Sequence, residues 1–495
     1  MRLHHLLLLA LFPAPLAAQS TAVDATLTVD SADLSNVGVE LRIHHAPAGF
    51  RLAMPRHPEY DERYWRFLRD LRVETDGRVA TVVREDSAVW RVDAPAALTA
   101  TVHYRIEVPS TSGVRGSWAP FVSPTGALVG GPYMFLYPVG SEAASWTVLL
   151  RLPPGWAAVT GLDRAGVSSY AAPDFATVMD SPILVGRLWT RSFTAAGVRH
   201  EVAYWPRPGA APFDTARLVE KLRAIVTEAA GVFGGLPYRR YAFLLQDAAR
   251  AGLEHASSVT IGAPSEALAG DDADVLLDVA HEYFHAWNEV RLRPRGWGGL
   301  SVRESPPSRE LWWMEGATMY YARVLLRRAA LARGSRLETL RAQAEEYLDN
   351  PASARISPER ASLAADLPPG AYGDLQGDYF LTGELVSTVL DLKIRHATAG
   401  RRTLDDVMRA MVRRYPQPRG YTDANLERTA SQVCGCDLSA FFSRHVRGAE
   451  LLDFDAALRP LGLHLLTRLD TAADSAGRPL PDLRVWGYVP RGEHR

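Results

Sequence analysis

Two histidines four residues apart, with a glutamate beside the first, stand in the segment Val279-Ala280-His281-Glu282-Tyr283-Phe284-His285-Ala286-Trp287-Asn288. On an α-helix such residues share a face, because one turn takes about 3.6 residues. Both imidazoles can then point at one ion. Neutral imidazole suits Zn²⁺, which is usually tetrahedral with nitrogen, oxygen and sulfur donors. Glu282 can reach a metal-bound water without ligating the metal, the general-base position of a zinc-peptidase helix. The flanking residues Val275, Leu276, Leu277, Val279, Ala280, Phe284 and Trp287 are apolar. Burying two histidines and a glutamate among them is costly without a function. The alternative is a solvated helix face.

A third donor is needed, and Glu315 offers one. It is the one acid in the apolar run Leu311-Trp312-Trp313-Met314-Glu315-Gly316-Ala317-Thr318-Met319-Tyr320-Tyr321. A carboxylate in such a run needs a partner or stays protonated. Two histidines and a glutamate leave the fourth zinc position open for water, as a catalytic site requires. The competing reading of Glu315 is a salt bridge to an arginine.

The pattern His-Glu-x-x-His-x-Trp-Asn followed by Leu-Trp-x-x-Glu-Gly resembles the glycyl aminopeptidase family of gluzincin zinc metallopeptidases, whose catalytic domain is thermolysin-like. Two more segments carry the likeness: Gly252-Leu253-Glu254-His255-Ala256-Ser257-Ser258 upstream, and Tyr379-Phe380-Leu381-Thr382-Gly383-Glu384-Leu385-Val386 with Leu390 to Arg395 downstream. The resemblance covers about residues 210–450 and is looser before them. It implies one Zn²⁺ held by His281, His285 and Glu315, with Glu282 as the catalytic glutamate and peptides as substrates. It places Glu254, with His255 beside it, where related aminopeptidases bind the substrate's free amine. A free N-terminus titrates near pH ~8, so it is largely cationic below that and a carboxylate would hold it. The family also supplies an oxyanion-stabilising tyrosine three residues before a glycine. Counting back from Gly383 lands on Phe380, and the neighbouring Tyr379 is the candidate catalytic substitute. Met319 stands where a polar partner for a zinc histidine is common, so Thr318 is expected to take that role. The departures motivate a second reading, a zinc-binding peptide scaffold with weak or no catalysis.

These residues imply an α+β multidomain chain, with an N-terminal β-rich, sandwich-like domain and a thermolysin-like, mainly helical zinc-peptidase domain. Period-two alternation in Ala25–Val29, Val37–Ile43 and Thr101–Ile106 predicts strands with one buried face. The apolar Tyr133-Met134-Phe135-Leu136-Tyr137 reads as a strand buried on both faces. The β pattern runs to about Arg207, which sets the first domain at 19–207. Helical periodicity then predicts Phe213–Phe233, Ala273–Glu289, Arg309–Arg333, Leu337–Leu348, Leu381–Ala397, Leu404–Arg414 and Asp423–Val433 in a catalytic domain over 208–450. Residues 451–495 resemble the start of a PDZ region, with one strand-like piece at Leu483–Val489.

Residues 1–18 read as a signal peptide. Arg2, His4 and His5 precede the apolar run Leu6–Phe12, and Pro13 to Gln19 contains small residues suited to cleavage after Ala18. That run is shorter than the ~20 residues a bilayer needs. The mature chain is therefore expected to be exported, to the periplasm or outside the cell, without stable membrane insertion. A formal net charge of −1 over 495 residues leaves no electrostatic footprint for nucleic acid. The two cysteines, Cys434 and Cys436, predict free or locally paired thiols and no disulfide framework.

Overall fold

The structure, a computed structural model, describes residues 21–55, 63–109, 114–297, 307–365 and 377–469, with side chains as far as His464, and the backbone of Ala472–Ala473, Pro479–Leu480 and Arg484–Pro490. The signal-peptide expectation for residues 1–18 lies outside the described residues. No described helix is long and apolar enough to cross a membrane.

The alternating segments are strands whose odd and even residues face core and solvent. In Ala22–Val29 the residues Val23, Ala25, Leu27 and Val29 are buried. This strand lies parallel to Ser145–Arg151 and antiparallel to Asn36–Ala46, in the middle of an eight-stranded sheet. Two four-stranded sheets close over it. One core joins all three, with Leu27, Leu41, Val102 and Trp146 from the large sheet meeting Leu52, Trp90, Val129 and Ile183 from the small ones.

Two expectations change here. Tyr133–Tyr137 is buried throughout, yet it is not one strand. Gly130 and Gly131 have positive φ and Pro132 opens a short 3-10 turn over Gly131–Tyr133, so only Tyr137–Pro138 is left to pair, with Arg51–Ala53. The second change concerns sheet membership. Strands Trp189–Ala195 and Val198–Trp205, read with the N-terminal domain, pair with each other, and the second pairs with Arg240–Gln246 in a separate five-stranded sheet. Alternation reveals a strand but not its partner, and the change of sheet falls between Gly186 and Trp189.

That second sheet ends in the short edge strand Gly252–Glu254, antiparallel to Ser258–Gly262. Helices pack against it and share one core with it. Thr215–Phe233 is capped by the Asp214 side chain and stopped by left-handed Gly234. The His281 helix spans Ala273–Phe284, shorter than its periodicity suggests, because the chain leaves helical geometry after His285 and Glu289 takes a φ of 126°. The Glu315 helix spans Leu311–Arg328 and ends before Ala330, which has positive φ. The Phe380 helix spans Tyr379–Ala397, capped by Asp378. Arg336–Asp349, Leu404–Arg414 and Asp423–Cys434 complete the long helices. Cys434 and Cys436 are bonded to each other across Gly435, the local pairing. Arg484–Pro490 pairs with Leu463–Leu469 as an antiparallel hairpin.

Candidate metal centre

Three helices place the chemistry. The Glu315 and Phe380 helices cross backbone to backbone at two glycines. A Cβ on Gly383 would lie 2.0 Å from the Trp312 carbonyl oxygen, and one on Gly316 would lie 2.4 Å from the Gly383 Cα. Neither position accepts a side chain without moving a helix. The His281 helix meets the Glu315 helix through stacked rings, Phe284 on Tyr321 at 4.3 Å. These contacts set His281, His285, Glu315 and position 380 around one point.

His281 Nε2 and His285 Nε2 lie 3.1 Å apart, and Glu315 Oε2 lies 3.2 Å from the first and 3.4 Å from the second. One donor atom from each residue lies within 4.8 Å of the others, a set that can hold a metal ion. The arginine salt bridge is not the arrangement found, since the partners of Glu315 are the two imidazoles. Burial works against charge on Glu315, but His285 and His281 outweigh it and hold the carboxyl far below its usual range. Burial lowers the His281 pKa. His285 is also buried, but Glu315 prevails and raises it well above an ordinary imidazole. The donor set fits a divalent cation, because an ion between the three satisfies both imidazole lone pairs and the carboxylate together.

A second layer holds His285. Its Nδ1 donates to the Asn288 carbonyl at 2.9 Å and lies 3.4 Å from Glu289 Oε2. The Asn288 side chain donates to the carbonyls of Trp313 and Met314 and to Thr318 Oγ1, at 3.1, 3.0 and 3.0 Å. Thr318 therefore supports a histidine at one remove, through Asn288. Among the described residues, the buried Nδ1 of His281 has no hydrogen-bond partner.

Glu282 is half-buried, and burial pushes its pKa up to about 8. The edge strand runs against it. A Cβ on Gly252 would stand 2.2 Å from Glu282 Cγ, so only glycine lets strand and glutamate approach this closely. Arg291 joins the two elements, donating to the carbonyls of Ala286 and Ala256 at 2.9 and 2.8 Å.

Two family models match the chain. The Peptidase M61 N-terminal domain matches residues 24–187, and M61 glycyl aminopeptidase matches residues 275–386, together more than half of the 495 residues. The chain belongs to the M61 peptidase family. It is a zinc metallopeptidase by family, and the matched segment contains His281, Glu282, His285 and Glu315. Among solved structures, an aminopeptidase N family protein from Idiomarina loihiensis has a TM-score of 0.82 at 21% identity, over 92% of this chain and 80% of that one. An M1 zinc metallopeptidase from Deinococcus radiodurans has a TM-score of 0.51 at 16% identity, over 88% and 95%. A mutant of the Deinococcus enzyme bound to a Tyr-Ser-Ala substrate has a TM-score of 0.50 at 16% identity, over 84% and 92%. At these identities the likeness shows a shared fold. No curated protein matches the chain.

The remaining residues of this M61 peptidase divide into two groups. Glu254 ends the edge strand and acts electrostatically on His285. Its carboxyl shares a hydrogen bond with Glu289, whose pKa burial raises. Glu289 escaped the sequence reading, although an acid four residues after His285 was the available signal. His255 is held elsewhere, and the Tyr379 ring stacks on that of Phe380 at 4.8 Å. His255 is buried, with Nδ1 3.1 Å from Asp180 Oδ1, and the same aspartate accepts from the Ala256 N–H at 2.8 Å. The Tyr379 ring packs on the cluster of Ala352, Ile356 and Ala361. Phe380, 39% exposed, faces the centre instead, its ring 6.1 Å from that of His281. Tyr320 donates to Asp391 at 2.8 Å and Tyr321 stacks under Phe284, so both are committed to the core.

Proposed function

We propose that this chain is a zinc-dependent aminopeptidase that removes N-terminal residues from peptides. The observation that carries the reading is the convergence of three donor atoms within 4.8 Å beside the half-buried Glu282 and the edge strand of Glu254. His281, His285 and Glu315 would hold the ion. Zinc so bound lowers the pKa of its water to ~7 and polarises a carbonyl oxygen. Glu282 would accept the proton of the attacking water and deliver it to the leaving amine. Glu254 would bind the substrate ammonium, with Glu289 against it, and so place the first peptide bond at the metal. His255, fixed on Asp180, would position the strand that presents Glu254. Tyr379, stacked on Phe380, would be the candidate oxyanion donor. Export belongs to this reading on the leader-like composition of residues 1–18.

The test is hydrolysis of glycyl and alanyl peptides by the zinc-loaded protein. Turnover should be lost with a chelator, return with zinc, and be lost again in Glu282→Gln at unchanged metal content. N-acetylation of the substrate should abolish it; equal cleavage of blocked peptides would replace the aminopeptidase reading with an endopeptidase. One observation favours a second reading, a zinc-binding peptide scaffold: the side chain beside His281 at the oxyanion position is the hydroxyl-free Phe380. Stoichiometric zinc with peptide binding but no turnover would select it.

A further inference from the structure

The helices that carry the metal donors continue past them into a second cleft. Leu277 of the His281 helix, Arg323 and Arg327 of the Glu315 helix, Glu384 of the Phe380 helix, and Arg336 and Gln343 of Arg336–Asp349 line a solvent-open space of about 800 Å³. Leu277 lies one turn before His281, Arg323 two turns beyond Glu315, and Glu384 one turn beyond Phe380. At ~1.5 Å per residue these offsets are about 6–12 Å. An extended peptide advances ~3.3 Å per residue, so the cleft lies about two to four residues from a bond at the metal.

Direction follows from the His281 helix. Glu254 lies by its C-terminal end, against Glu289, whereas the cleft opens by its N-terminal end at Ala273, Asp274 and Leu277. A peptide whose amine rests on Glu254 sends its downstream residues toward the cleft.

The lining has cations to spare. Glu384 is 4% exposed and already paired, with Arg323 Nε 2.8 Å from its Oε1. Arg333 at the margin pairs with Asp271. Arg327 reaches only the Gly334 carbonyl, at 3.4 Å, and the Arg336 guanidinium lies over the Tyr320 ring at 5.4 Å. Neither has an ion-pair partner among the described residues, and the other acid of the lining, Asp274, is exposed. Gln343 is 9% exposed, lines the cleft, and its side chain hydrogen-bonds with Glu384. Two guanidinium groups are a donor set for a carboxylate.

We propose that this cleft binds a substrate carboxylate two to four residues downstream of the cleaved bond, and so directs the enzyme to short peptides with a free C-terminus or to peptides acidic at that position. The assignment rests on the aminopeptidase reading for the placement of the peptide, and it is tested by binding without turnover. Zinc-loaded Glu282→Gln protein is titrated calorimetrically with Gly-Ala-Ala-Ala, its C-terminal amide, and Gly-Ala-Glu-Ala amide. The free acid should bind about tenfold more tightly than the amide. Arg336→Gln and Arg327→Gln should each reduce that preference to about twofold or less and leave the amide's affinity unchanged. Tight binding of the glutamyl amide adds a side-chain carboxylate as a source; weak binding restricts the source to the C-terminus. Equal affinities for all three peptides, or a preference that survives both arginine variants, would overturn the assignment. A carboxylate preference in a protein that hydrolyses nothing would keep the cleft and remove the peptidase reading. Hydrolysis by the wild type without the preference would do the reverse.

Discussion

His281 and His285 stand one turn apart on the same helix, yet the protein supports them unequally. His285 donates to the Asn288 carbonyl, lies against Glu289, and rests on an asparagine that makes three hydrogen bonds of its own. His281 has a buried Nδ1 without a partner among the described residues, and the ring next to it is Phe380. Ligating histidines normally donate their second N–H, and those partners set ligand orientation and basicity. One side of the centre is thus built to hold a metal firmly. The other side carries the hydroxyl-free ring of Phe380, 6.1 Å from that of His281. Holding the ion and stabilising charge in the transition state are separable tasks, divided here between two sides of one site.

The largest effect should come from Glu282→Gln, with a fall of about 10²–10⁴-fold in kcat and unchanged zinc by metal analysis. That result would separate proton transfer from metal holding. Gly252→Ala comes next. Its Cβ would stand 2.2 Å from Glu282 Cγ, and a displacement of that glutamate by about 1 Å is worth about 10²-fold in kcat, again with zinc retained. Asn288→Ala strikes the well-supported side, and competition with a chelator should show zinc affinity lower by about 10–100-fold. If zinc affinity does not move, the comparison between the two histidines fails.

The poorly supported side makes the opposite prediction, a gain of function. Phe380→Tyr introduces a hydroxyl at the position whose ring faces His281. Oxyanion donors in fully organised sites are worth about 10²–10³-fold, and an unsupported tyrosine should give about tenfold in kcat at unchanged KM. A fall in kcat would show that Phe380 has a role of its own. The smallest effect is expected from Met319→Gln, which offers a polar group one helical turn after Glu315 and should raise zinc affinity a few-fold. No change would mean that the His281 Nδ1 faces away from that position.

The clustering of His281, His285 and Glu315 was legible because each part of it is local. Helical period puts His281 and His285 on one face, and apolar flanks mark Glu315 as an acid that needs a partner. Phe380 was legible by counting from Gly383, and the backbone crossing of Gly316 and Gly383 explains why the count works: the two helices cannot slide. Helix existence also followed from periodicity, and ends were lost where a cap or a positive φ intervened, as at His285 and Ala330.

What the residues could not announce was partnership across the chain. Nothing local shows that Trp189–Ala195 belongs to the sheet of Arg240–Gln246, that His255 is spent on Asp180, or that Thr318 reaches its histidine through Asn288. Nor does spacing reveal that Arg327, Arg336 and Gln343, from two helices, face one cleft. By itself the sequence determined which residues can bind a metal, because donor chemistry and a period of about 3.6 residues act within a few turns. The tertiary structure alone decided which of them are supported and where a substrate can continue, because burial and the pairing of distant groups exist only once the helices have packed.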